Sequence, residues 1–266
     1  MDVTVLQRQF ARIGARARVR TVEGRWAVES VVIDIARDKD GELFDVQVPP
    51  RRPAELSVLH LEPARRHLLL MSRDGGSETH KFLCGHDERH WFVAAVPENR
   101  SVSTVATAME ALKPAEIVAL QSRLQVRPKD RNRRKNEAFL RQGEWFFVRE
   151  PGLVVDERLV LTREPMSRGR GKPHTVDFLY RSGGEVVYVC RHRPNGLTQA
   201  QYSTLLSRKP EAKGWGWSVL RRNPSVYVKG RVRHVDHATI VLDDWYRVLM
   251  NTETQAAAMR HVAFLD

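Results

Sequence analysis

SVYVKGRVRH, residues 225–234, repeats with a period of two. Val226, Val228, Gly230 and Val232 fall on one face; Tyr227, Lys229, Arg231 and Arg233 fall on the other. Alternation of this kind marks a strand buried on one side. Its outward row has three cations, an aromatic ring and no acid. Alternate residues of a strand lie about 6.6 Å apart, close to the step of an extended nucleic-acid backbone. Tyr227 adds a surface on which a base can stack. A β-rich region that meets a polyanion is therefore expected here.

The segments on the N-terminal side carry the same bias. In EVVYVCRHR, residues 185–193, Val187 and Val189 share a face with Arg191 and Arg193. In SRGRGKPH, residues 167–174, Arg168, Arg170 and Lys172 sit between glycines. There the permissive backbone lets amides and cations approach phosphates together. In KGWGWSVLRR, residues 213–222, Trp215 and Trp217 precede Arg221 and Arg222, an interleaving suited to unpaired bases.

The 266 residues carry 44 basic and 32 acidic side chains, a net charge of +12. Residues 1–126 hold 18 basic and 17 acidic groups, and residues 127–266 hold 26 and 15. RPKDRNRRKN, residues 127–136, has six cations and one acid. The expected organisation is a near-neutral α+β module over 1–126, a basic linker over 127–136 and a basic β-rich module over 137–266. The fold class is α+β, two mainly antiparallel β modules with short helices. Arg131, Arg133, Arg134 and Lys135 fit either a solvated tether or an arm that orders on nucleic acid.

Within the front module the spacing predicts a helix with Val5, Phe10 and Ile13 inward, ended by Gly14. A hairpin turns at Asp40-Gly41, and a second pairs His67–Met71 with His80–Cys84 through Asp74-Gly75-Gly76. A strand at Trp91–Val96 and helices from near Ser103 and from Pro114 follow. In the rear module strands are expected at Glu144–Val148, Arg158–Thr162, Thr175–Arg181, Glu185–Arg193, Ser225–His234, Thr239–Leu242 and Trp245–Met250. Asp243-Asp244 reads as a turn. Helices are expected at Thr198–Leu206 and near Thr254–Val262.

Cys84 with His86 and Cys190 with His192 form two C-x-H pairs. Residues i and i+2 of a strand share a face, so two such pairs opposed would make a Cys₂His₂ zinc site. His234 and His237, with His174 beside Lys172, suit acid–base work on RNA. Phosphate-loop, dinucleotide, HExxH and GxSxG motifs are absent. No apolar run nears the roughly 20 residues of a membrane span. No secretory leader is read, and two cysteines fit a reducing, cytoplasmic setting.

These features lead first to an RNA- or single-strand-DNA-binding protein, an accessory subunit of a nucleoprotein complex. Its contacts are Arg131, Arg133, Arg134, Lys135, Arg168, Arg170, Lys172, Lys229, Arg231 and Arg233, with Tyr227 or Trp217 stacking. A histidine- or metal-dependent nuclease and a non-enzymatic protein–protein adaptor whose charge meets an acidic protein are the alternatives; the near-neutral front module suits a protein partner.

Overall fold

The computed structural model describes residues 3–23, 28, 30–50, 54–74, 79–98, 101–167 and 172–255. The front half runs α1 (Val3–Arg12), β1 (Ala17–Thr21), β2 (Val32–Asp38), β3 (Gly41–Val48), β4 (Ala54–Glu62), β5 (His67–Asp74), β6 (Thr79–Asp87), β7 (His90–Val96), α2 (Val105–Ala111) and α3 (Ala115–Arg123). The rear half runs β8 (Leu140–Gln142), β9 (Trp145–Arg149), β10 (Leu161–Met166), β11 (His174–Ser182), β12 (Glu185–Cys190), β13 (Arg193–Thr198), α4 (Gln199–Arg208), β14 (Ser218–Arg222), β15 (Ser225–Arg233) and β16 (Ile240–Met250). The fold is α+β with mainly antiparallel sheets. Among the described residues no helix is long and apolar enough to cross a membrane.

In the front half, β4-β5-β6-β7 form one sheet and β1-β3-β2 another, with β1 parallel to β3. The run Leu68-Leu69-Leu70 is buried on both faces of its sheet, as an unbroken apolar strand should be. Leu68 and Leu70 meet Phe10 and Phe44 on one side; Leu69 meets Val105, Ala108 and Ala111 of α2 on the other. Thr104 caps α2, its hydroxyl accepting from the Thr107 amide. In α1 and the turn that follows it the inward residues are Leu6, Phe10 and Ile13, while Val5 is exposed. Four residues back from Phe10 is the position that shares its face, so Leu6 takes the place expected of Val5. The expected Asp74-Gly75-Gly76 turn lies partly outside the described residues.

Helix α3 packs Ile117 and Leu120 against Phe139 and Phe146, both beyond residue 136. Residues 127–136 between them are hydrogen-bonded turns. Asp130 pairs with Arg127 at 2.9 Å and with Arg133 at 3.1 Å. The ammonium of buried Lys113 donates to the Arg131 carbonyl at 2.8 Å and to Glu110 at 2.6 Å. Burial pushes the Lys113 pKa down, against the pull of Glu110.

The rear half is built on one antiparallel sheet, β10-β11-β15-β16-β9-β8. Phe147, Val176, Leu179, Val228, Val232 and Leu242 form its core. The two segments expected at 239–242 and 245–250 are one strand, β16. Asp243 and Asp244 lie inside it, and the Tyr246 hydroxyl donates to Asp243 at 2.8 Å. The strand expected at Arg158–Thr162 begins later, because Glu157–Leu159 form a 3₁₀ turn capped by Asp156. Residues 183–222, between the paired strands β11 and β15, form a separate three-stranded sheet, β13-β12-β14, with α4 beside it. The expected terminal helix near Thr254–Val262 falls largely outside the described residues.

A candidate metal centre between the two halves

Register brings the first two histidines together. β11 and β15 pair Thr175 with Arg233, so His174 and His234 lie side by side one residue further out. Their rings stack with centroids 4.3 Å apart. His237, on the loop into β16, lies 4.8 Å from the His234 ring and 5.9 Å from that of His174. One ligand nitrogen from each of the three falls within 4.8 Å of the others. Among the described residues this is the one group of three or more His, Cys, Asp or Glu with such spacing.

The buried side of the site lacks internal partners. His174 is 2% exposed, and neither of its ring nitrogens has a hydrogen-bond partner. The same holds for His237 Nδ1, Gln142 Oε1 and Trp145 Nε1. Gln142 is tied to the histidine loop by its amide, which donates to the Ala238 carbonyl at 2.6 Å, and Trp145 stands edge-on to His174. Orphaned buried polar atoms each cost about 1–3 kcal/mol, so a cluster of them calls for an occupant. Burial first, and then the neighbouring His234 and His237, push the His174 pKa down to about 3. Burial likewise lowers that of His237. Uncharged imidazoles are the form that binds metals.

Gly143 shapes the space between them. It turns β8 into β9 with φ +56°, and an added Cβ would lie 3.1 Å from His237 Nε2 and 3.7 Å from His174 Nε2. Both Nε2 atoms thus border the gap that a side chain there would fill. A tetrahedral zinc ion, with Zn–N near 2.0–2.1 Å, sets its nitrogens about 3.3 Å apart, so the rings need to draw in by roughly 1.5 Å at most. Asp236 N–H donates to His234 Nδ1 at 3.2 Å, a long contact that His234 exchanges for a metal if it binds through that nitrogen.

The front half supplies the carboxylate. Glu88 sits in the two-residue β6–β7 turn with φ +51°, a conformation glycine usually provides. Its Oε2 is 3.7 Å from His237 Nδ1 and accepts from the Ala238 amide at 2.5 Å. A carboxylate behind a ligating imidazole orients the ring and raises its basicity. Arg134 holds Glu88 at 2.5 Å and also pairs with Asp87. Asp236, between the histidines, binds Lys172 at 2.8 Å and His90 Nε2 at 3.3 Å.

The residues read from sequence scatter around this centre. Arg131, Arg133 and Arg134 are engaged within the fold, by Ser122, Asp130 and the Asp87–Glu88 turn, while Lys135 is exposed. Arg168 and Arg170 lie outside the described residues. Tyr227 leans on Tyr180 and Lys229 is half-buried. The row on β15 is not acid-free once folded. Asp177 of β11 accepts from Arg231 N–H at 2.9 Å and from Arg233 at 2.8 Å. Those bonds, the backbone one first, hold its pKa at about 2. Gly230, at φ +89°, makes the approach possible, since a Cβ there would come within 2.8 Å of Asp177 Cβ.

The two C-x-H pairs do not meet to form a metal group. Cys84 is fully buried in the front core, where burial pushes its thiol pKa up, and His86 stands against Trp91. Cys190 ends β12, with His192 exposed beside Trp215. The roles of Glu88, Gly143 and Gln142 carried no sequence signal, because each depends on a turn meeting a distant loop. No family model, curated protein or solved structure matches the chain.

Proposed function

We propose that the protein is a metal-dependent phosphodiester hydrolase acting on nucleic acid, with His174, His234 and His237 holding a divalent ion of the zinc class. The observation that carries this reading is the convergence of three imidazoles within ligand reach of one another, with both ring nitrogens of buried His174 unpartnered and the Nε2 atoms of His174 and His237 facing Gly143. Three imidazole ligands would leave a fourth position of a zinc-class ion open to water, the arrangement of catalytic rather than structural zinc. Such an ion lowers the pKa of its water to near 7 and so supplies hydroxide at neutral pH. Glu88 stands behind the His237 ring, 3.7 Å from Nδ1, where a carboxylate would steer a ligating imidazole. Lys172, held at the rim by Asp236, offers a cation to a phosphate oxygen. The rear half, with 26 basic and 15 acidic side chains, suits a polyanionic substrate.

Elemental analysis of protein purified without chelator, followed by cleavage assays on labelled RNA and DNA, tests this. One metal ion per chain is expected, lost in His174→Ala and His237→Ala together with cleavage. Metal-free protein that takes up no zinc, cobalt or manganese on titration would overturn the reading. Loaded protein that leaves every RNA and DNA substrate intact would remove the hydrolase.

A further inference from the structure

The 183–222 insertion contributes no residue to the four hydrophobic clusters of the fold. Its own buried apolar residues are few: Val187, Cys190 and Ala212. Yet it carries seven basic and two acidic side chains and a continuous run of rings. Tyr188 and Tyr202 stack face to face at 4.2 Å, with 3° between their planes. Trp217 meets Tyr202 edge-on at 5.0 Å, Trp215 lies 6.1 Å from Trp217, and exposed His192 sits 4.6 Å beyond. The four large rings are only half-buried. Lys209 lies 5.2 Å over Trp215, while Arg191, Arg193, Arg208 and Lys213 are exposed around them.

A small module of this kind gains little stability for the chain it orders. Its composition fits a ligand that is flat, apolar on its faces and negatively charged along its edge. We infer that the insertion grips unpaired nucleic acid, its bases stacking on the aromatic run and its phosphates following the surrounding cations. This deepens the hydrolase reading by naming single strands as the substrate class. The strands β11 and β15, from whose Ser182 and Ser225 ends the insertion springs, carry His174 and His234 at their opposite ends, about 26 Å along the sheet, a span that a bound single strand would have to cover. Duplex nucleic acid keeps its base faces stacked inside and leaves such rings nothing to take. An acidic protein segment would meet the cations but not the rings.

The test uses the full chain, stripped of metal with chelator so that no cleavage intrudes. Fluorescence anisotropy measures binding to labelled oligothymidine, to the matching duplex and to polyglutamate. Tighter binding to the single strand than to either competitor is expected. Tyr202→Ala and Trp215→Ala each weaken it about tenfold, as loss of one stacking ring does. Arg191→Glu with Arg193→Glu, on the open surface, weakens it further at low salt without touching the rings, which guards against a misfolded insertion. Metal content stays unchanged in all variants, so failure here leaves the metal centre standing. Equal affinity for single strand and duplex, or for polyglutamate, overturns the inference, as does unaltered binding in the ring and arginine variants.

Discussion

Replacing Gly143 by alanine separates the metal centre from ordinary packing. The residue sits at φ +56°, where alanine pays a backbone penalty of about 1–2 kcal/mol. Gly152, at φ +88° with no atom within 4 Å of an added Cβ, pays a comparable penalty in open space. Gly143→Ala should lose somewhat more stability in a denaturant titration, because its methyl also crowds His237. The two variants should differ in metal affinity. At Gly143 the new methyl carbon would lie 3.1 Å from His237 Nε2 and 3.7 Å from His174 Nε2. An ion bound at about 2.0–2.1 Å from those nitrogens would occupy the same gap. The methyl and the ion cannot share it without displacing a ring, and affinity should fall by about 10–100-fold, the range for disturbed ligand surroundings. Cobalt absorption, or competition with a chromophoric chelator, measures the difference. Wild-type affinity in Gly143→Ala, or an equal loss in Gly152→Ala, would refute the placement of the ion.

Asp177→Ala releases Arg231 and Arg233 from their shared carboxylate. The variant should be less stable, yet elute later from heparin and bind single strands with a steeper salt dependence; unchanged elution would show that the row on β15 faces no polyanion. Asp45, 3% exposed, bonds to Arg18 and Arg20 at 2.7 Å. Burial alone would raise its pKa, but Arg20, Arg18 and Gln47 outweigh it and hold the value at about 2, below the usual 3.8. The folded protein then binds that proton more weakly than the unfolded one. About 2 kcal/mol of stability, present above pH 3.8, should fade as pH falls toward 2. Stability curves of wild type and Asp45→Asn should converge across that window; parallel curves would mean the carboxylate is not ion-paired.

Local patterns carried far in this chain. The hairpin at Asp40-Gly41, the unbroken apolar run of β5, the helix starts near Ser103 and Thr198 and the period-two reading of 225–234 all rest on neighbours in sequence. What escaped depended on distance. Arg231 and Arg233 looked unopposed because Asp177 is more than fifty residues away and reaches them through a bulge at Gly230. Residues 127–136 read as a tether or as an arm that orders on nucleic acid, because Lys113 and Gln121, whose side chains bind the Arg131 carbonyl, lie before and within α3 and leave no mark on the segment itself. The histidines were visible as types, and His234 with His237 as a spacing. Only the pairing of β11 with β15 puts His174 beside them. The two C-x-H pairs lacked the C-x₂₋₄-C spacing familiar in zinc sites, and the fold keeps them apart, with Cys84 in the front core and Cys190 at the end of β12.

The β6–β7 turn is where the two halves become one object. Glu88 touches the histidine loop, Asp87 and Glu88 take Arg134, and His90 takes Asp236. At the far end Thr252 donates to the Leu112 and Ala111 carbonyls. A chain that kept either half alone would retain a core but lose the contacts between the hairpin tip and the histidine loop. Through descent, then, the two should be gained, lost and duplicated jointly, and a change in the hairpin tip should call for an answering change in the loop it covers.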